Sequence, residues 1–259
     1  MSTAQIEDIE LHYEEHGAGM PLLLIGGIPA VADDWRPLAK PLSARRRVIA
    51  YDNRGGGHST VTEGPYSTKQ LAADAAALLD ELGIRRADVF GISLGGMVAQ
   101  ELALGWPERV DRLILGGTHA GVANAAPQSR ETGEAFSMET EDWGERVRAL
   151  APLAFSEGYD AELLEAFIEK KSRDVQDPGG YRAQIEAALG HDTYDRLHEI
   201  ASPTLIVTGD EDRVIPPLSS NVMHEAIPGS RLVEIEGAGH LFFIEKPEES
   251  LELINGFLG

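Results

Sequence analysis

The sequence predicts an α/β fold with an open, mostly parallel central sheet, helices on both faces and a helical cap insertion. Three observations predict it. Short apolar runs recur along the chain, and amphipathic helical stretches separate them. The runs are continuously apolar rather than alternating, as strands of a parallel sheet buried on both faces should be. The stretch 121–199 breaks this rhythm and reads as helices and loops without a strand.

The elements follow in order. Ile6–His16 alternates apolar and polar residues and reads as an antiparallel edge hairpin. Leu22–Ile25 is the first buried run, closed by Gly26-Gly27, and Val48–Tyr51 is the second, followed by Asp52 and glycines 55 to 57. Thr68–Leu82 carries Leu71, Ala75, Leu78, Leu79 and Leu82 at helical spacing, and Gly83 stops it. Ala87–Phe90 is the third run, and the helix Leu94–Trp106 follows it and ends before Pro107. Leu113–Leu115, Thr204–Val207 and Leu232–Ile235 complete the strands, with helices over Ser219–Ile227 and Leu251–Leu258.

Residues 121–199 hold 17 acidic and 8 basic residues, together with apolar side chains such as Phe136, Trp143, Phe155 and Phe167 that need a surface to cover. The expected division is a core of residues 1–120 and 200–259 with a helical cap over 121–199. Such a cap would lie over the carboxyl ends of the strands, where open α/β sheets bind ligands.

Composition narrows the function. A formal charge of -21 on 259 residues would repel nucleic acid and anionic lipid surfaces, so neither is an expected partner. Zero cysteines exclude disulfides, thiolate metal ligands and a cysteine nucleophile. The apolar runs are too short to span a bilayer and the N-terminus lacks a signal-like pattern, so a cytoplasmic location is expected.

Gly91-Ile92-Ser93-Leu94-Gly95 matches G-x-S-x-G, set directly between a strand and a helix. That turn is sharp, needs small residues two before and two after its apex, and lifts the serine hydroxyl above the sheet. Serine needs a base, and the base needs an orienting acid. His240 ends the loop Gly237-Ala238-Gly239-His240, which can present an imidazole without crowding. His12, His16, His198 and His224 read as surface residues, His58 lies in a glycine-rich loop, and His119 and His191 remain pocket candidates. Asp210, Glu211 and Asp212 compete for the acid role. The loop must first turn away from its strand, which favours Asp212. The position after the fourth strand, Gly116-Gly117-Thr118-His119, offers no carboxylate. Trp35, Trp143, Phe167, His191, Val214 and Leu241 are the candidates for a largely apolar substrate pocket.

With these pieces the chain resembles the α/β-hydrolase superfamily over essentially its whole length, and within it the esterase, enol-lactonase and cofactor-free perhydrolase-like group. The matching segments are Leu22–Pro29, Tyr51–Ser59, the serine turn, Gly209-Asp210-Glu211-Asp212 and Gly237–His240. The resemblance implies Ser93 as nucleophile, His240 as base and Asp212 as its orienter. It also implies an oxyanion hole from the backbone N–H groups of Ile28 and Leu94, and no metal or organic cofactor. Many relatives carry His-Gly where this chain has Gly26-Gly27. Serine at the apex separates the chain from dehalogenases and epoxide hydrolases, which use aspartate there. The leading expectation is ester hydrolysis through an acyl-enzyme on a small-molecule ester or lactone, by a monomer or homodimer. Lactone or enol-lactone hydrolysis, perhydrolase or haloperoxidase chemistry, and a non-catalytic binding protein on the same fold are the rivals.

Overall fold

The computed structural model describes residues 2–259. β1 (Ser2–Ile6) and β2 (Ile9–His16) form the edge hairpin. Its first strand starts at Ser2, four residues before the expected start at Ile6; Ile6 is where the chain turns, next to Glu7 at φ 49. β3 (Met20–Ile25), β4 (Arg46–Tyr51), β5 (Ala87–Ile92), β6 (Val110–Gly116), β7 (Thr204–Gly209) and β8 (Arg231–Ile235) follow. All lie in one sheet of order β1-β2-β4-β3-β5-β6-β7-β8, parallel from β4 through β8.

The helices are α1 (Arg36–Leu42), α2 (Thr68–Glu81), α3 (Leu94–Gly105), α4 (Arg130–Phe136), α5 (Trp143–Ala154), α6 (Ala161–Lys171), α7 (Pro178–Leu189), α8 (Leu218–Ala226), α9 (Phe242–Glu245) and α10 (Pro247–Leu258). Two hydrophobic clusters sandwich the sheet. Leu23 and Ile25 of β3 pack with Leu71, Leu79, Val98 and Leu102 of α2 and α3. Their neighbours Leu22 and Leu24 point to the other face and pack with Leu38, Leu42, Phe242 and Leu258 of α1, α9 and α10. Successive strand residues face opposite ways, so a strand with helices on both sides must be apolar throughout.

Local chemistry sets the helix ends. The Ser67 hydroxyl accepts the Gln70 N–H at the start of α2, and Gly83 takes φ +65 just after its end. α10 starts one turn earlier than Leu251, because Pro247 opens it with Glu248 and Glu249 in the first turn. α1 carries Pro37 and Pro41 and so offers no helical signal to a sequence reading. Between β6 and β7 the chain runs through α4 to α7. Ser129, Asp142, Asp160 and Asp177 cap these four helices, each accepting a backbone N–H. Several of the acids that make this stretch so negative are therefore helix caps.

One histidine expected at the surface is buried. β2 pairs with β4, which brings His12 under the loop after β4, and its Nδ1 lies 3.0 Å from Asp52 Oδ2.

Candidate active site

Ser93 sits between β5 and α3 with φ 55 and ψ -123, a conformation rarely populated by a residue with a side chain. Neighbouring backbone enforces it. A Cβ at Gly91 would run into the carbonyl of Gly95, and a Cβ at Gly95 into the carbonyl of Ile25. The Ser93 N–H donates to Gly116 O at 3.0 Å, and the Thr118 hydroxyl donates to Ser93 O at 2.8 Å. The turn is thus tied to the end of β6. Leu94 opens α3, so its N–H belongs to the helix end that carries positive partial charge.

His240 is buried, and its Nδ1–H donates to Asp212 Oδ2 at 2.7 Å. Asp212 Oδ1 accepts the N–H groups of Val214 and Ile215 at 2.9 and 2.8 Å, which fixes the carboxylate. The other two acids of that loop have different partners. Asp210 accepts the Gly237 N–H at 2.7 Å, and Glu211 accepts the Glu157 N–H at 3.1 Å. Gly117 passes directly behind the pair: a Cβ there would stand 3.0 Å from His240 Nδ1 and 3.1 Å from Asp212 Oδ2. With Nδ1 engaged, Nε2 is the ring nitrogen left for proton transfer.

The loop after β3 carries Ile28 and is pinned along its length. Asn53 Nδ2 donates to Gly26 O at 2.9 Å, Ala32 N–H to Asp52 Oδ1 at 2.6 Å, and Val31 N–H to Asp34 Oδ2 at 3.0 Å. Lys171, at the end of α6, reaches Pro29 O at 3.3 Å and Asp34 Oδ2 at 2.6 Å, and also pairs with Asp174. Burial opposes the charge on Lys171, yet the two carboxylates hold its pKa above the usual lysine value.

Two chambers meet at Ser93. The first, about 100 Å³, is lined by Ser93 and His240 together with Trp35, Trp143, Phe167, Val214 and Leu241. The second, about 390 Å³, is lined by Ser93, Ile28, Leu94, Met97 and His119, among others. Ile28, Phe136 and Val214 border both.

His191, expected in the pocket, borders neither chamber. It is buried with Nδ1 3.0 Å from the Thr68 hydroxyl and Nε2 3.2 Å from the Thr193 hydroxyl. Thr68, far away in sequence, and Thr193, two residues on, close on the ring and occupy both nitrogens. Asp34 and Lys171, by contrast, line the first chamber and were not singled out from sequence. Lys171 reads there as one more charge at the end of an amphipathic helix. Its burial depends on a loop 137 residues away in sequence, and no local pattern reports that. Among the described residues, no arginine of the stretch 121–199 borders either chamber; Arg146, for example, donates to Met138 O and lies over the Tyr181 ring.

Residues 20–247 match the family model described as the alpha/beta hydrolase fold. The chain is 33% identical over 255 residues to a protein of Azorhizobium caulinodans named for carbamate hydrolysis, RutD, covering 97% of this chain and 96% of that one. Among solved structures, the enol-lactonase from Burkholderia xenovorans superposes with a TM-score of 0.88 at 29% identity, covering 99% of each chain. A thermophilic esterase from Thermogutta terrifontis does so with a TM-score of 0.86 at 30% identity, covering 99% of this chain and 97% of that one. On these matches and this architecture, the chain belongs to the α/β-hydrolase family and is a hydrolase.

Proposed function

We propose that the protein hydrolyses uncharged carboxylic esters through an acyl-enzyme on Ser93, with His240 as general base and acid and Asp212 as its orienter. The observation that carries this reading is the 2.7 Å hydrogen bond from His240 to Asp212 beside a serine held at φ 55 on the wall of the same chamber. Ser93 Oγ attacks the ester carbonyl as His240 Nε2 takes its proton. The carbonyl oxygen becomes an oxyanion between the Leu94 and Ile28 amides, a stabilisation typically worth about 3 kcal/mol per donor. His240 returns the proton to the departing alcohol oxygen. Water then attacks the acyl-enzyme, losing its proton to His240, and Ser93 is released with the carboxylic acid. The Asp212 carboxylate holds the ring in the tautomer with Nε2 free and stabilises the imidazolium formed at each step.

The residues 121–199 act in this reading as a cap. α5 and α6 supply Trp143, Val147, Leu150 and Phe167 to the wall of the first chamber. An enol-lactone is an ester closed into a ring, so the same steps would open it.

The preference for an uncharged substrate rests on electrostatics. Among the described residues, Lys171 is, besides His240, the basic side chain lining the first chamber, where Asp34 and Asp174 already neutralise it, and no basic side chain other than the neutral His119 lines the second. A net charge of -21 disfavours the approach of anions as well. The test is steady-state hydrolysis of p-nitrophenyl butyrate and of its anionic counterpart, the p-nitrophenyl monoester of succinate. Wild type is expected to prefer the butyrate, and Ser93→Ala to lower kcat on it by about 10³-fold or more. Undiminished turnover by purified Ser93→Ala would assign the chemistry elsewhere, and a preference for the succinate would reject the uncharged-substrate reading.

A further inference from the structure

The second chamber contains a hydrogen-bond donor that the proposed chemistry leaves unused. His119 follows β6 and is 8% exposed. Its Nδ1 accepts the backbone N–H of Gly121 at 3.1 Å, which assigns the proton of the neutral ring to Nε2. Burial pushes the His119 pKa down to about 4, so the ring is neutral in ordinary buffers. Among the described residues, Nε2 has no protein partner. Nor is it sealed from solvent, as Nε2 of His12 is. The N–H is therefore not closed off by protein, and His119 is one of the residues that line the second chamber.

The rest of that wall is mostly apolar, with Met97, Val122, Ile185 and Ile215 among its side chains. Gln128 also borders it, but its amide N–H donates to Val214 O at 2.7 Å. Among the described residues, no charged side chain lines it. Most buried polar side-chain atoms have a hydrogen-bond partner, and a donor left free at the wall of a chamber is placed to supply one to a ligand.

We propose that this chamber receives the acyl part of the ester, and that His119 Nε2–H donates to an uncharged oxygen on that acyl chain, a keto, ether or hydroxyl group. This rests on the ester-hydrolase reading above. The acyl assignment follows from His240, which lines the first chamber and not the second. The departing oxygen must lie beside the imidazole that protonates it, so the leaving group occupies the first chamber and the acyl chain the second. The oxygen is uncharged because a carboxylate facing one neutral donor in an apolar wall would lose its hydration without a counter-charge.

The test compares p-nitrophenyl hexanoate with its 4-oxo and 5-oxo analogues on wild type, His119→Leu and His119→Gln. The readout is the ratio of kcat/KM for each oxo ester to that for hexanoate, so intrinsic ester reactivity cancels between enzymes. At least one oxo ester should show a ratio roughly fivefold to tenfold higher in wild type than in His119→Leu, the size of one neutral hydrogen bond. His119→Gln keeps an N–H donor and should recover part of that difference. Should His119→Leu not fold, His119→Met fills the site without a donor and serves the same comparison. Identical ratios in all enzymes, with hexanoate still hydrolysed, would overturn the His119 role and leave the hydrolase reading standing. Failure of wild type to hydrolyse any of the three esters would overturn both.

Discussion

Asp210, Glu211 and Asp212 are consecutive carboxylates, yet each ends on a different partner, and only Asp212 meets an imidazole. That outcome was legible in the sequence because a loop leaving a strand end must turn before it can face the neighbouring loop. The fate of His191 was not. Nothing near it in sequence reports that Thr68, 123 residues away, hydrogen-bonds its ring. Its burial has a consequence for stability. Burial, with His119 and Arg196 adding like charge, pushes the His191 pKa down to about 3, and burial takes His119 to about 4. Both values lie below the 6.5 of an unfolded chain, so the neutral rings cost nothing above pH 6.5. As pH falls from 6.5 towards 4, the unfolded chain takes up protons that the fold refuses, and stability declines. Urea unfolding at pH 7 and pH 4.5 should show His191→Gln losing about 2 kcal/mol less than wild type over that interval. Equal losses would mean that the ring is protonated in the fold without penalty.

Among the elements, the loop after β3 and the end of α6 depend on each other. Lys171 joins Asp34, Asp174 and the Pro29 carbonyl, immediately next to the Ile28 amide proposed for the oxyanion hole. Its neighbour Lys170 pairs with Asp33 at 2.8 Å in a half-exposed position. Removing one partner of a buried ionic cluster leaves charge without compensation, typically at a cost of about 3–5 kcal/mol, whereas exposed pairs contribute about 0–1 kcal/mol. Lys171→Met should therefore destabilise the protein by several kcal/mol. Lys170→Met should change it by less than about 1 kcal/mol, both read from urea denaturation midpoints. Equal effects would contradict the buried-cluster reading. Element by element, the strands were the most legible part, since their apolar runs record burial on both faces. α1 was not legible, because Pro37 and Pro41 mask a helix that Leu38 and Leu42 anchor against the sheet.

For the whole molecule, the fold follows from the strand–helix alternation, and the site from where parallel strands end together. Ser93, Asp212 and His240 come from loops after β5, β7 and β8, and the Ile28 loop follows β3. The sheet order brings these loops to one edge. Motif and chain order could point to that much. The division of the site into two chambers could not be read in advance, because it depends on how α4 to α7 settle over the edge, and Phe136 and Val214 border both sides only in three dimensions. The central claim is that Ser93 is the nucleophile. Its most direct test is to treat the folded protein with a p-nitrophenyl alkylphosphonate and map the adduct by peptide mass spectrometry. The expected result is one phosphonyl group per chain, on Ser93, formed as p-nitrophenolate is released and abolished in Ser93→Ala. An adduct on another residue with Ser93 unmodified, or no adduct in a protein that still hydrolyses esters, would contradict it.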